Sequence, residues 1–125
     1  MHFRKKGTES SLFNFICGDN DLCYVKTYKY LGILFSEHLD YDDNAALLAQ
    51  AGGRALGSII AKYKSQGFMG YSTFTKLFDS CICPILDYSS GVWGYHKFEK
   101  INSIQDRAMR IFLGVHRFTP KLALE

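Results

Sequence analysis

Four carboxylates crowd one short stretch of this chain, Glu37, Asp40, Asp42 and Asp43, and no lysine or arginine lies between residues 36 and 53. Adjacent aspartates such as Asp42 and Asp43 are the side chains that can hold paired divalent cations and neutralise charge on reacting phosphate oxygens. The residues that follow, Asn44-Ala45-Ala46-Leu47-Leu48, read on as a helix. Acids at a helix start accept hydrogen bonds from its unpaired N–H groups and suit the positive end of its dipole. That reading accounts for all four carboxylates without chemistry. The cysteines offer no better frame for a metal. Five residues separate Cys17 from Cys23, one separates Cys81 from Cys83, and no nearby histidine completes a ligand set. Cys81 and Cys83 lie in an apolar stretch, where a reduced thiol behaves as a small core residue. No glycine-rich phosphate loop, nucleophile elbow or Cys–His pairing occurs. The residues taken by themselves give no catalytic set and no metal ligands.

Whatever the chain does must rest on the elements that carry these residues. With 125 residues it is one domain or a piece of one, and 47% hydrophobic and 15% aromatic content is ample for a core. The net charge of +3 is unevenly spread. Residues 1–35 carry five basic and three acidic groups, whereas residues 54–125 carry ten basic and five acidic ones. A basic second half permits a phosphate-rich partner. No apolar run approaches the roughly 18 residues that span a bilayer, and no secretory signal opens the chain. The expectation is an intracellular protein, in cytoplasm and nucleus, with no membrane partner.

Along the chain, Met1 to Arg4 reads as the tail of a strand. Leu12 to Cys17 is a short β-type run with Phe13, Phe15 and Cys17 on one face. Gly18-Asp19-Asn20-Asp21 supplies turn chemistry, and Leu22 to Val25 returns to close a hairpin. Tyr28 to Phe35 reads as a third strand, with Gly32 inside it marking a bulge or a close backbone approach. The period then changes. Leu48, Ala55, Leu56, Ile59, Ile60 and Tyr63 recur at helical spacing up to Gln66-Gly67, and Gly52-Gly53 favours a bend midway. Ser72 is the expected cap of a second helix with Phe74, Leu77, Phe78, Cys81, Ile82, Ile85 and Leu86 on one stripe, broken near Cys83 by Pro84. Trp93 reads as core. A third helix, about Phe98 to Leu113, buries Ile101, Ile104, Ala108, Ile111 and Phe112 and stops at Gly114. Thr119-Pro120 is a cap followed by a first-turn proline, the start of another helix. A chain that opens mid-strand and closes in a first helical turn reads as truncated at both ends. The fold class is α+β: a hairpin and short strands over 1–38, then a three- to four-helix bundle over 39–125.

Beyond these patterns, Val25-Lys26-Thr27-Tyr28-Lys29-Tyr30-Leu31-Gly32-Ile33 resembles the segment after the catalytic palm motif in reverse transcriptases of non-LTR (LINE-type) retrotransposons. His2-Phe3 is similar to the end of that family's strand after the palm aspartates, without the Lys-Thr-Lys stretch that commonly precedes it. Cys83-Pro84-Ile85-Leu86-Asp87-Tyr88 and Gly91-Val92-Trp93 resemble its proline–apolar–Tyr–Gly…Trp helix, with Asp87 and Ser89 where an apolar residue and glycine more often flank the tyrosine. Ile104 to Gly114 is similar to its Gln-x-Arg…Arg-x-x-x-Gly segment. Nearly the whole chain is covered, in order. Tyr41-Asp42-Asp43 does not fit the family's catalytic motif, in which one residue separates the aromatic side chain from the first aspartate.

The resemblance implies a palm-edge segment with a primer grip over 1–38 and a thumb over 39–125, within an RNA-directed DNA polymerase. Its catalytic aspartates, and the Mg²⁺ they hold, would lie upstream of Met1, so this chain has no cofactor and is inactive alone. Lys29, Tyr30, Leu31 and Gly32 are the residues onto which the primer grip can be carried. A thumb grips duplex by its phosphates, so it needs cations rather than base readers. At about 100° per residue, Lys100, Arg107 and Arg110 fall within roughly 80° of one another, beside the apolar stripe of the third helix. Arg54 and Lys62 add charge on the long first helix. The implied partners are an RNA template and RNA–DNA duplex, through the parent enzyme. Phe13 and Phe15 would face the palm there, and in the separate chain would promote self-association. The competing reading is a non-catalytic helical interaction domain, domesticated or residual.

Overall fold

The computed structural model describes residues 1–11, 13–67, 69–116 and 118–120, and within them the fold is α+β. Two antiparallel hairpins come first: β1 (Phe15–Cys17) with β2 (Asn20–Leu22), and β3 (Thr27–Tyr30) with β4 (Ile33–Ser36). Five helices follow: α1 (Asp42–Gln66), α2 (Tyr71–Cys81), α3 (Cys83–Leu86), α4 (Ser90–Trp93) and α5 (Glu99–Leu113). The chain forms two compact units, Met1–Asn44 and Ala45–Glu125.

In the first unit the strands are shorter than the apolar pattern predicts. Cys17 pairs with Asn20, so the turn is Gly18-Asp19 alone, with Gly18 at φ +64 in the position where a two-residue hairpin loop demands glycine. The expected third strand is two strands. Leu31 and Gly32 both take positive φ (46° and 83°) between Tyr30 and Ile33, as a type I′ turn requires, so Gly32 turns the chain instead of bulging it. Met1 to Arg4 joins no ladder. Arg4 is held at its backbone by Glu37 O (2.9 Å) and at its side chain by the Glu37 carboxylate (3.1 Å). Of the run from Leu12, the first residue lies outside those described.

In the second unit, α1, α2, α3 and α5 close on Leu56, Ile82, Leu86, Ile104 and Ala108, with Ala49, Ile59, Met69 and Phe74 around them. Full burial of a leucine such as Leu56 contributes about 1.5–3 kcal/mol. The Gly52-Gly53 pair has a packing reason. A Cβ on Gly52 would stand 2.6 Å from Leu86 Cδ2, so glycine there lets Leu86 seat against α1, which runs on as one helix. Pro84 breaks the second helical stretch as its missing N–H dictates: α2 ends at Cys81 and α3 restarts with the proline in its first turn.

Two expectations need correction here. The residue before α2 is Gly70, with no side-chain cap, and Ser72 lies inside the first turn. Cys81 is exposed and Cys83 only half-buried, so neither thiol is core. Trp93 is buried as expected: it ends the one-turn α4 and donates its indole N–H to Tyr88 O at 2.7 Å. At the far end Gly114, at φ +65, stops α5 as expected, its N–H and that of Val115 reaching Ile111 O and Arg110 O. The helix expected after Thr119-Pro120 falls on residues 121–125, outside those described.

Candidate nucleic-acid interface

The β3–β4 hairpin presents its tip to solvent. Tyr30 is 58% and Leu31 73% exposed, and Lys29 and Gly32 are exposed beside them. Strand alternation sets the chemistry of each face. Tyr28 and Tyr30 stand opposite Phe35 and Ile33 on one face, whereas Lys29 stands opposite Leu34 on the other. The four turn residues therefore offer a cation and an aromatic ring on opposite sides of one tight turn.

Asn44, which the sequence reading did not single out, anchors this hairpin. In a two-residue hairpin Tyr30 and Ile33 form the hydrogen-bonded pair, so the N–H of Leu34 points away from β3. Asn44 Oδ1 accepts it at 3.0 Å. The amide is only 2% exposed, and its Nδ2 has no partner among the described residues. Tyr41, also buried, packs its ring 5.9 Å from that of Phe35 and sits at φ +55. Asp42 and Asp43 project into solvent from the first turn of α1, and Asp40 binds Ser36 Oγ at 2.8 Å. An asparagine in a helix's first turn gives no sign in sequence that it will reach a strand edge.

On the helical unit, Lys100 and Arg107 are exposed on α5. Seven residues apart, they lie about 10 Å apart along the axis and within about 20° of the same direction. Arg110 differs. Half-buried, it donates from a terminal guanidinium nitrogen to Thr119 O at 3.2 Å, and its Nε is buried with no partner among the described residues. It serves first to hold the chain that leaves α5. Glu99 and Asp106 flank the Arg110 side of the stripe by helical position, so Lys100 and Arg107 form the cleaner cationic edge. Arg54 and Lys62 are exposed on α1, eight residues apart and so about 80° apart around the axis.

An apolar groove of about 460 Å³ opens between α2 and α5, floored by Phe74, Phe78 and Phe112 and flanked by Tyr71. Phe74 and Phe112 stack at 4.8 Å. It takes its lining from the apolar side of α5 and uses none of the three cations of that helix. Beyond α2, burial, and then the carboxylates of Asp79 and Asp87, push the Cys83 thiol above the ordinary cysteine range; Asp79 Oδ1 lies 3.9 Å from its sulfur. Cys83 is therefore held protonated. Among the described residues no group of three or more histidine, cysteine or acidic side chains is arranged to hold a metal, and no helix is long and apolar enough to cross a membrane. Comparison of the chain with protein-family models, with curated proteins and with solved structures finds no match in any of the three.

Proposed function

We propose that this chain is the primer-grip and thumb segment of a non-LTR reverse transcriptase, binding template–primer duplex and positioning the primer while the metal-dependent chemistry belongs to a palm elsewhere in the parent enzyme. The observation that carries the reading is the turn at Leu31-Gly32. The residues that resemble a primer grip form an exposed, tightly turned hairpin tip, the kind of element that can lie against a nucleic-acid strand. Asn44 supports the role by fixing the hairpin from its outer edge. The exposed pair Lys100 and Arg107 supports phosphate contact on α5, with Arg54 and Lys62 adding charge on α1. These groups neutralise phosphates and do not read base edges, so binding is weakly dependent on sequence.

The test is binding of a labelled RNA–DNA hybrid by the 125-residue chain, with a Lys100→Gln/Arg107→Gln double variant beside it. The expected result is measurable binding by the wild type, weakened roughly tenfold or more in the double variant on every hybrid sequence alike. No primer extension by the chain alone is expected with Mg²⁺ or Mn²⁺. Equal affinity in both proteins would leave the cations as ordinary solvated groups and remove the proposal's electrostatic basis. The second reading, an interaction domain, draws on the apolar grooves; it predicts no hybrid binding at physiological salt.

A further inference from the structure

Among the described residues, the unit Met1–Asn44 buries only Ile33, Tyr41 and Asn44 to below a tenth of their surface. Two shallow depressions open on it. One, of about 490 Å³, lies among Phe3, Val25, Tyr28, Tyr30 and Phe35. The other, of about 240 Å³, lies among Phe15, Leu22 and Tyr24. Met1 and Cys23 border both, so the two join into one surface that crosses both hairpins. No acidic or basic side chain lines either one. Such a surface offers phosphates and charged peptides no ion pair.

Its extent is the decisive quantity. Nine of the lining side chains, five of them aromatic, are more than a third exposed. An aromatic side chain half-uncovered leaves about 100 Å² in water and the smaller ones less, so the nine together expose on the order of 700 Å². A stable interface takes about 800 Å² from each partner. The face of one chain is thus close to what one side of a dimer needs. Edge-to-edge strand addition at the β3–β4 hairpin is disfavoured, because Lys29 stands on the open edge strand β3 and Asn44 already takes the outward N–H of Leu34 on β4. The strands β1 and β2 have three residues each, too short to template much pairing. What remains is contact face to face.

We infer that this surface closes on the same surface of a second copy of the chain, forming a two-fold, isologous dimer through the two hairpins. The chain itself supplies an apolar face of matching extent and no charged side chain, and a two-fold contact buries it on both partners at once. Of the residues assigned to duplex binding only Tyr30 lines the face; Lys29, Arg54, Lys62, Lys100 and Arg107 do not, so the phosphate contacts stand apart from dimerisation and can hold or fail without it.

The experiment is sedimentation of the full 125-residue chain from about 1 to 100 µM, a range spanning ordinary dimer affinities. Leu22→Lys and Tyr28→Lys are made on the face, and Leu113→Lys in the separate groove between α2 and α5. All three positions are exposed, and circular dichroism checks that each variant keeps its helices. The expected result is a reversible monomer–dimer equilibrium whose dissociation constant rises roughly tenfold or more in each face variant and stays unchanged in Leu113→Lys. A wild type that remains monomeric to 100 µM would overturn the inference and leave the face to a different polypeptide. So would a dimer broken by Leu113→Lys alone, or open-ended association that the face variants do not relieve.

Discussion

Phe15 and Phe74 are the same residue in opposite circumstances: the first is 53% exposed on a three-residue strand, the second 8% exposed on an eleven-residue helix. The contrast extends to the units that hold them. Each helix satisfies its own backbone and offers a stripe, and the stripes of α1, α2 and α5 close on one another around Leu56 and Leu86. A two-stranded hairpin has two faces and two open edges, and it cannot cover both faces from its own side chains. The helical unit is therefore built to hold itself. The hairpin unit is built to be covered, and it is where Asn44, Arg4 and Glu37 supply polar ties in place of a core.

The largest expected effect breaks that contrast at its core. Leu86→Ala should cost about 2–5 kcal/mol in chemical denaturation, because Leu86 is 2% exposed and seated against Gly52. Leu22→Ala, on the hairpin, should stay within about 0.5 kcal/mol. Comparable losses at the two positions would mean that the hairpin unit has a core of its own.

A smaller effect sharpens the account of α1. Gly52→Ala places a methyl against Leu86 at 2.6 Å, and the overpacking cost of about 1–3 kcal/mol should exceed the gain of about 1 kcal/mol in helix propensity. Gly53→Ala meets only Ile104 Cδ1 at an ordinary 3.5 Å and should be neutral or stabilising by up to about 1 kcal/mol. Thermal melts of the two variants should move in opposite directions.

The smallest effect concerns the thiols. Cys83 is half-buried and held protonated, while Cys17, Cys23 and Cys81 are exposed, so alkylation at about pH 8 should modify Cys83 last. The sign for stability follows. With its folded pKa above the unfolded one, Cys83 favours the folded state below the unfolded pKa, and that contribution is lost as pH rises through the folded value. Cys83→Ser should flatten the alkaline fall in stability. An unchanged alkaline limb would assign the fall to other groups.

How much of this could be read from the sequence varies with how local the cause is. The break at Pro84, the stop at Gly114 and the apolar stripe of α5 follow from one residue's backbone chemistry or a simple period, and the structure agrees. The β3–β4 turn was hidden because Leu31, a residue that rarely takes positive φ, stands where asparagine or glycine would announce a type I′ turn. Gly52 looked like a weakness because propensity is local and its contact with Leu86 is not. The same limit applies to the candidate interface. Lys100 and Arg107 share a side by period alone, whereas the tie from Arg110 to Thr119 depends on the path the chain takes after α5.

The central claim is that this chain holds duplex through phosphate contacts on its helical unit, and the salt dependence of binding tests it most directly. Affinity for an RNA–DNA hybrid should fall linearly with salt on logarithmic axes as counterions are released. The Lys100→Gln/Arg107→Gln variant, whose exposed positions leave the fold intact, should show a slope shallower by up to about two units, with the same change on unrelated hybrid sequences. A wild-type affinity indifferent to salt, or slopes that coincide in the two proteins, would contradict it.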